Sequence, residues 1–243
     1  MILGLRAVIT LSTPVLLALL AAACSGGDDN SPRPTNAPGN LFDNPGLENG
    51  EEPWFTLKPD SGFTVTDEFA HSGTYSAYQN MDDPAEASGL GKVYYLVQEI
   101  TPPEFPEIVE GFYRVENWRR GTPLQYLQFV IIALEPQNFD LSEVSNFQLR
   151  YIIAGVNAPP FDIGNAHFVF LSREDPVIGE WTHFSANVRE DFQELWGLVP
   201  EDFTLLRLFF EVRWDGKSAG SGAPRADVYW DDLYIGDKSG VNQ

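Results

Sequence analysis

The chain has 243 residues and carries 15 Lys and Arg against 35 Asp and Glu, a formal net charge of −20. Such a field repels a polyphosphate backbone at long range and argues against nucleic acid as a partner, while an acidic surface suits neutral or cationic ligands and calcium. Cys24 is the one cysteine, so the folded part has neither a disulfide nor a cysteine-based metal site.

Arg6 is the only charge before Asp28, and the residues from Ala7 to Ala23 are largely apolar. The stretch Val15 to Leu20 has the length of a signal-peptide apolar region, and Ser12, Thr13 and Pro14 interrupt any membrane-spanning helix. Ala21, Ala22 and Ala23 then precede Cys24. This resembles the lipobox of bacterial lipoproteins, although Leu is commoner than Ala21 at that place. The resemblance implies cleavage after residue 23 and lipidation of Cys24, with the chain exported and anchored to the cell membrane or outer membrane. An ordinary secretory signal and an uncut anchor are the alternatives. The segment 25–40 has no aliphatic residue larger than Ala and reads as a flexible tether. That leaves one folded domain over 41–237 and a tail over 238–243.

Alternating or β-branched and aromatic runs predict strands near 62–66, 74–79, 92–100, 110–118, 124–134, 146–154, 166–171, 180–188, 203–214 and 226–235. Pro102-Pro103, Gly121-Thr122-Pro123, Pro159-Pro160 and the Gly/Ser-rich 216–222 break them. Helical spacing occurs once, where Phe192, Leu195 and Trp196 share a face of a short helix over 189–197 that Gly197 ends. Strands at this spacing without a βαβ rhythm predict an all-β sandwich or barrel.

Period-two alternation assigns faces. Tyr113 and Val115 oppose Arg114, Glu116 and Trp118; Leu127, Phe129 and Ile131 oppose Tyr126 and Gln128; Leu206, Leu208, Phe210, Val212 and Trp214 oppose Arg207, Glu211 and Arg213. If the polar rows are neighbours they line a groove; otherwise they are solvated sides of antiparallel strands. Trp54 and Trp181 are expected in the core.

Three motifs stand at the domain's ends: Asn44-Pro45-Gly46-Leu47-Glu48-Asn49-Gly50 followed by Pro53-Trp54, then Ala70-His71-Ser72-Gly73-Thr74-Tyr75-Ser76, and finally Ala226 to Ile235 with Asp231-Asp232. In this order they resemble the jelly-roll carbohydrate-binding modules of families 4, 9 and 22, within the galactose-binding-like fold. The resemblance covers the two ends and nothing in 100–200. It implies a structural calcium ion held by Glu48, Asp231 and Asp232 with the Ser72 carbonyl. A hard cation with six to eight oxygen ligands suits carboxylates that otherwise repel. Exposed strand ends are the plainer reading of the two aspartates. By alternation Asp231 shares a face with Leu233.

Hydrolase, zinc, P-loop and dinucleotide motifs are absent from the sequence, and His71, His167 and His183 are scattered. Glu116 with Glu211 would make a glycosidase pair, and Arg114, Gln128, Arg207 and Arg213 with Tyr126 would suit a jelly-roll lyase. The main expectation is a monomeric surface protein that binds polysaccharide without catalysis. Trp118 and Tyr126 would stack on sugar, and Arg114, Glu116, Gln128, Arg207, Glu211 and Arg213 would bond its hydroxyls. A polysaccharide lyase or hydrolase, and a structural surface domain without glycan, are the alternatives.

Overall fold

Strands rich in Val, Ile, Tyr and Phe bury one side of each pleat and must find a second sheet to cover it. A computed structural model describes residues 37–84, 91–134, 146–218 and 220–238. Among the described residues ten strands form close to the expected bounds: β1 Thr64–Thr66, β2 Ser76–Asp82, β3 Lys92–Ile100, β4 Ile108–Arg119, β5 Gln125–Leu134, β6 Gln148–Ala154, β7 Ala166–Phe170, β8 Trp181–Ala186, β9 Leu205–Trp214 and β10 Arg225–Gly236. The helix α1 spans Val188–Trp196, buries Val188 and Phe192, and stops at Gly197 in the left-handed conformation. The expected signal segment, Cys24 and most of the expected tether lie outside the described residues.

The strands make a jelly-roll sandwich of two sheets. The front sheet has the order β3-β9-β5-β6-β7 and the back sheet β1-β2-β10-β4-β8. The pairs are antiparallel except β6 with β7, which run parallel. The alternation of β9 holds along its length, with Leu206, Leu208, Phe210, Val212 and Trp214 inside and almost fully buried. Phe210 is the hub, its ring centroid 5.5 Å from Trp230 and about 6 Å from those of Phe42, Trp54, Phe129 and Phe184. Truncating such a ring costs roughly 3–5 kcal/mol.

The opening turn lies against the closing strand. Leu41 N donates to Ile235 O at 2.8 Å and Leu233 N to Pro45 O at 3.2 Å. The Asn40 amide donates to Leu233 O at 2.9 Å and accepts from Ile235 N at 3.2 Å. Packing thus begins before residue 41: Ala37, expected in the tether, is buried with Ile108 and Tyr234. At the other end Lys238 N donates to Glu107 Oε2 at 2.7 Å.

Two face assignments change for the same reason. Asn117 and Asp232 both have left-handed backbone, with φ of 49° and 50°, beside register shifts in the β10–β4 pairing. A residue inserted this way restarts the alternation. Trp118 therefore packs against the core instead of pointing out with Arg114 and Glu116. Asp231 no longer shares a face with Leu233, which lies in the core. Trp54 is core as expected, whereas Trp181 is half-buried and lies 5.7 Å from the His71 ring.

Candidate functional site

The outer side of the front sheet carries the residues that alternate with its core rows. Tyr95 of β3, Glu211 of β9, Gln128 of β5 and Ile152 of β6 lie in register across four strands. A neighbouring row runs through Val97, Phe209, Val130 and Arg150. Between them is a cavity of about 110 Å³ lined by Tyr95, Phe209, Glu211, Arg213, Arg150 and Gln148, with Val130, Ile132 and Leu57. Phe55 pairs with Val97 outside the strand, which brings Leu57 to the rim with 42% of its surface exposed.

The charges here are ordered. Arg213 donates from Nε to Asp215 Oδ2 at 3.1 Å, from Nη2 to Asp215 Oδ1 at 3.3 Å and from Nη1 to Glu211 Oε2 at 3.3 Å. Glu211 Oε2 also accepts from Gln128 Nε2, and Tyr126 Oη donates to Asp215 Oδ2 at 2.8 Å. Burial alone lowers the Arg213 pKa, but the charges of Glu211, Tyr126 and Asp215 outweigh it and leave it raised. Burial drives Tyr126 well above its ordinary value, with Arg213 opposing and Asp215 reinforcing. Tyr95 is likewise raised, chiefly by burial. Arg150 donates from Nε to Gln148 Oε1 at 2.8 Å, while its Nη1 is buried without a hydrogen-bond partner. Burial lowers its pKa despite the opposing charge of Glu211.

The sequence-derived candidates divide between opposite faces. Tyr126, Gln128, Arg207, Glu211 and Arg213 belong to the front sheet, but Arg114 and Glu116 sit on β4 in the back sheet and pair with each other at 2.7 Å. β5 and β9 are neighbours, as the groove reading requires, but β4 lies in the other sheet, and Glu116 with Glu211 cannot flank one glycosidic bond. Arg114 is separated in the same way from the four residues that would complete a lyase set.

Tyr126 and Gln128 are completely buried, so neither is open to sugar. Tyr126 is covered by Ile152, Val156, Leu124, Phe168 and Phe170. The chain reaches this cover through Gly155, whose φ is 107° and where a Cβ would stand 2.6 Å from Gln125 O. Trp118 is turned to the core, and Arg207 is tied to Glu99, with Nε 2.6 Å from Oε1. Tyr95, Gln148, Arg150 and Phe209 line the cavity and are not among the candidates. Alternation within 92–100 and 146–154 puts Tyr95 opposite Leu96 and Arg150 opposite Leu149, so their faces were readable; their meeting was not.

The expected calcium ligands gather around the turn 71–75. Asp231 is fully buried, and its Oδ2 accepts from His71 N at 2.7 Å and Ser72 N at 3.2 Å. Asp232 Oδ1 accepts from Ser72 Oγ at 2.7 Å, and its Oδ2 lies 2.5 Å from His71 Nδ1. Glu48 Oε1 accepts from Thr74 N and Tyr75 N, each at 2.8 Å. Gly73 lets it approach, since a Cβ there would lie 2.3 Å from that oxygen. Burial, then the neighbouring Asp232 charge, pushes the Asp231 pKa up to about 7 against the pull of the three backbone N–H groups. Among the described residues no group of three or more His, Cys, Asp or Glu side chains stands together as a ready metal site. His71 and His183 flank Phe112 on the back sheet, and His167 packs beside Trp196.

No protein-family profile matches the chain, and no curated protein matches it. Solved structures do resemble it. One is the carbohydrate-binding module TmCBM61 in complex with β-1,4-galactotriose: TM-score 0.44, 14% identity, covering 81% of this chain and 97% of that one. The tandem CBM22-1–CBM22-2 domain of Paenibacillus barcinonensis Xyn10C gives 0.46 and 14%, covering 81% of this chain and 49% of its own. A CBM28 module specific for non-crystalline cellulose gives 0.39 and 10%, covering 82% and 97%. Each likeness is distant in sequence and partial in shape.

Removing Arg213 leaves Glu211 and Asp215 without their shared cation. Arg213→Met is expected to lower the free energy of unfolding by about 3 kcal/mol, and Arg213→Met with Glu211→Met to recover part of that loss. Urea titrations of the two variants beside the parent protein check this.

Proposed function

We propose that the domain binds polysaccharide without catalysis at the outer side of the front sheet, and that a lipid on Cys24 holds it at the membrane outside the cytoplasm. The observation that carries the first part is the cavity beside Tyr95. It puts an apolar rim of Leu57 and Tyr95 next to the polar groups of Gln148, Arg150, Glu211 and Arg213. A sugar offers the same combination, an apolar ring face edged by hydroxyls. Glu211 is the one carboxylate in the cavity lining and is already held by Arg213 and Gln128. Most glycosidases need a second acid facing the first across the bond. Affinity electrophoresis against a panel of neutral and acidic polysaccharides tests the reading. We expect retardation by at least one glycan, weakened about tenfold or more by Tyr95→Ala and unchanged by Arg114→Ala on the opposite face. A protein that no glycan retards overturns it.

Calcium at the 71–75 turn is part of the same proposal. Three carboxylates meet one five-residue turn, two of them are buried, and among the described residues neither Lys nor Arg pairs with them. Glu48, Asp231 and Asp232 with the Ser72 carbonyl would hold the ion, which would supply charge balance and stability. It has to compete for oxygens that now accept N–H bonds. Millimolar calcium is expected to raise the melting temperature by several degrees over an EDTA-treated sample, and Asp231→Asn to abolish the rise; an unchanged melting temperature removes calcium from the account.

The anchor rests on the apolar run and small residues before Cys24. Cys24→Ser in the full-length chain is expected to move the protein from the membrane pellet to the soluble exported fraction. Sedimentation of fractionated cells, with an immunoblot, reads the outcome.

A further inference from the structure

We propose that the front-sheet cavity receives the carboxylate of a uronic-acid residue, with Arg150 as its principal donor. This rests on the glycan-binding reading and names the class of glycan.

Size comes first. At about 110 Å³ the cavity is well below the ~300–1,000 Å³ of pockets that enclose whole small molecules. It can take a substituent of a sugar whose ring rests outside, against Tyr95 and Leu57.

Charge decides which substituent. Arg213 is already balanced by Glu211 on one side and Asp215 on the other. Arg150 pairs with no carboxylate among the described residues, and its Nε is spent on the neutral Gln148 amide. Its Nη1 is buried and makes no hydrogen bond. Phe161 lies over both guanidinium groups, each 5.4 Å from its ring centroid, and adds no anion. Glu211 acts on the Arg150 charge only from a distance, so among the described residues the guanidinium lacks the direct carboxylate contact that would best offset its desolvation. This chain has 35 acidic residues against 15 basic ones, so a carboxylate partner was the commonest thing to place there. The cavity offers the place to an incoming anion instead.

A carboxylate suits that place, because its planar pair of oxygens matches the guanidinium fork and gives it a charge-assisted contact. A hydroxyl would accept a single, weaker hydrogen bond without the paired geometry. The acidic surface opposes a polyanion at long range, but at physiological salt that repulsion is screened beyond ~8 Å, whereas a contact inside the cavity is screened far less.

Affinity electrophoresis of the full chain in detergent, at physiological salt, separates the possibilities. The probes are polygalacturonate, alginate and glucuronoxylan, the fully methyl-esterified form of the first, and neutral galactan, xylan and β-glucan. We expect retardation by at least one uronate polymer. Where polygalacturonate is the ligand, esterification should weaken binding at least tenfold. Arg150→Met should reduce uronate binding to the level of the neutral polymers. Replacing an unpaired buried charge by an apolar side chain should leave folding intact, and a melting curve confirms this. The ester comparison needs no variant. Neutral polymers bound as tightly as uronates, or an Arg150→Met protein that binds uronate like the parent, overturn the carboxylate assignment and leave glycan binding standing. No retardation by any polymer overturns both.

Discussion

The pairing of residues 40–47 with the end of β10 is the constraint on which both the core and the site depend. Two backbone bonds and the two bonds of the Asn40 amide fix that segment to β10 residues Leu233 and Ile235. Phe42 and the fully buried Leu47 then enter the sandwich. Trp54 follows, its indole donating to Asn44 O at 2.8 Å and its ring 5.1 Å from Phe42. Beyond Trp54 the chain runs along the edge of β3, where Phe55 and Val97 exchange bonds of 3.0 Å and Tyr95 N donates to Ser61 O. That course sets Leu57 beside Tyr95. The edge of the front sheet is thereby covered, and one wall of the cavity is made by the same segment that closes the core.

The sequence revealed the strands well because each is bounded by Pro or Gly and carries its own periodicity, both local properties. It revealed less of the site because sheet membership is not local. Alternation told that Arg114 and Glu116 face away from Tyr113, and that Glu211 and Arg213 face away from Val212. It could not tell that β4 pairs with β10 and β8 while β9 pairs with β3 and β5. Two single residues also defeat the pattern. Asn117 and Asp232 adopt positive φ, a conformation Asn and Asp tolerate better than most residues, and each reverses the sides that follow. Tyr126 and Gln128 face outward as expected yet are fully buried, Tyr126 largely beneath Ile152, Val156, Phe168 and Phe170 from later in the chain. Nothing in residues 125–128 announces that cover. Arg150 was missed for the complementary reason, since one arginine in an apolar strand carries no motif.

The two outer faces treat polar groups differently, and the difference bears on which is available to a ligand. On the back sheet Asp227 is buried but accepts from Tyr78 Oη at 2.8 Å, and from the amides of Asn80 and Asn117 at 2.6 Å each. Burial, then the bond to Asp227, pushes the Tyr78 pKa up to about 12, so the phenol remains a donor across the physiological range. Tyr229 Oη donates to Glu68 at 2.9 Å, its ring stacks on Tyr78 at 4.8 Å, and the Arg114 guanidinium lies 4.2 Å from the Phe69 ring centre. These aromatic and charged groups are spent on one another. A ligand arriving there would have to break bonds of good geometry before making its own.

On the front sheet the balance is different. The network from Tyr126 through Asp215, Arg213 and Glu211 to Gln128 is continuous, and it positions Glu211 and Arg213 at the cavity wall. Arg150 stands next to that network without joining it by a hydrogen bond, anchored only through Gln148. Its Nη1 is enclosed and makes no hydrogen bond, so a new contact at that atom would not replace an existing one. The aromatic residues that first suggest sugar binding, Tyr126 and Trp118, work inside the fold. What this face leaves uncommitted is a small apolar rim and a guanidinium that is bonded to Gln148 and to no carboxylate among the described residues.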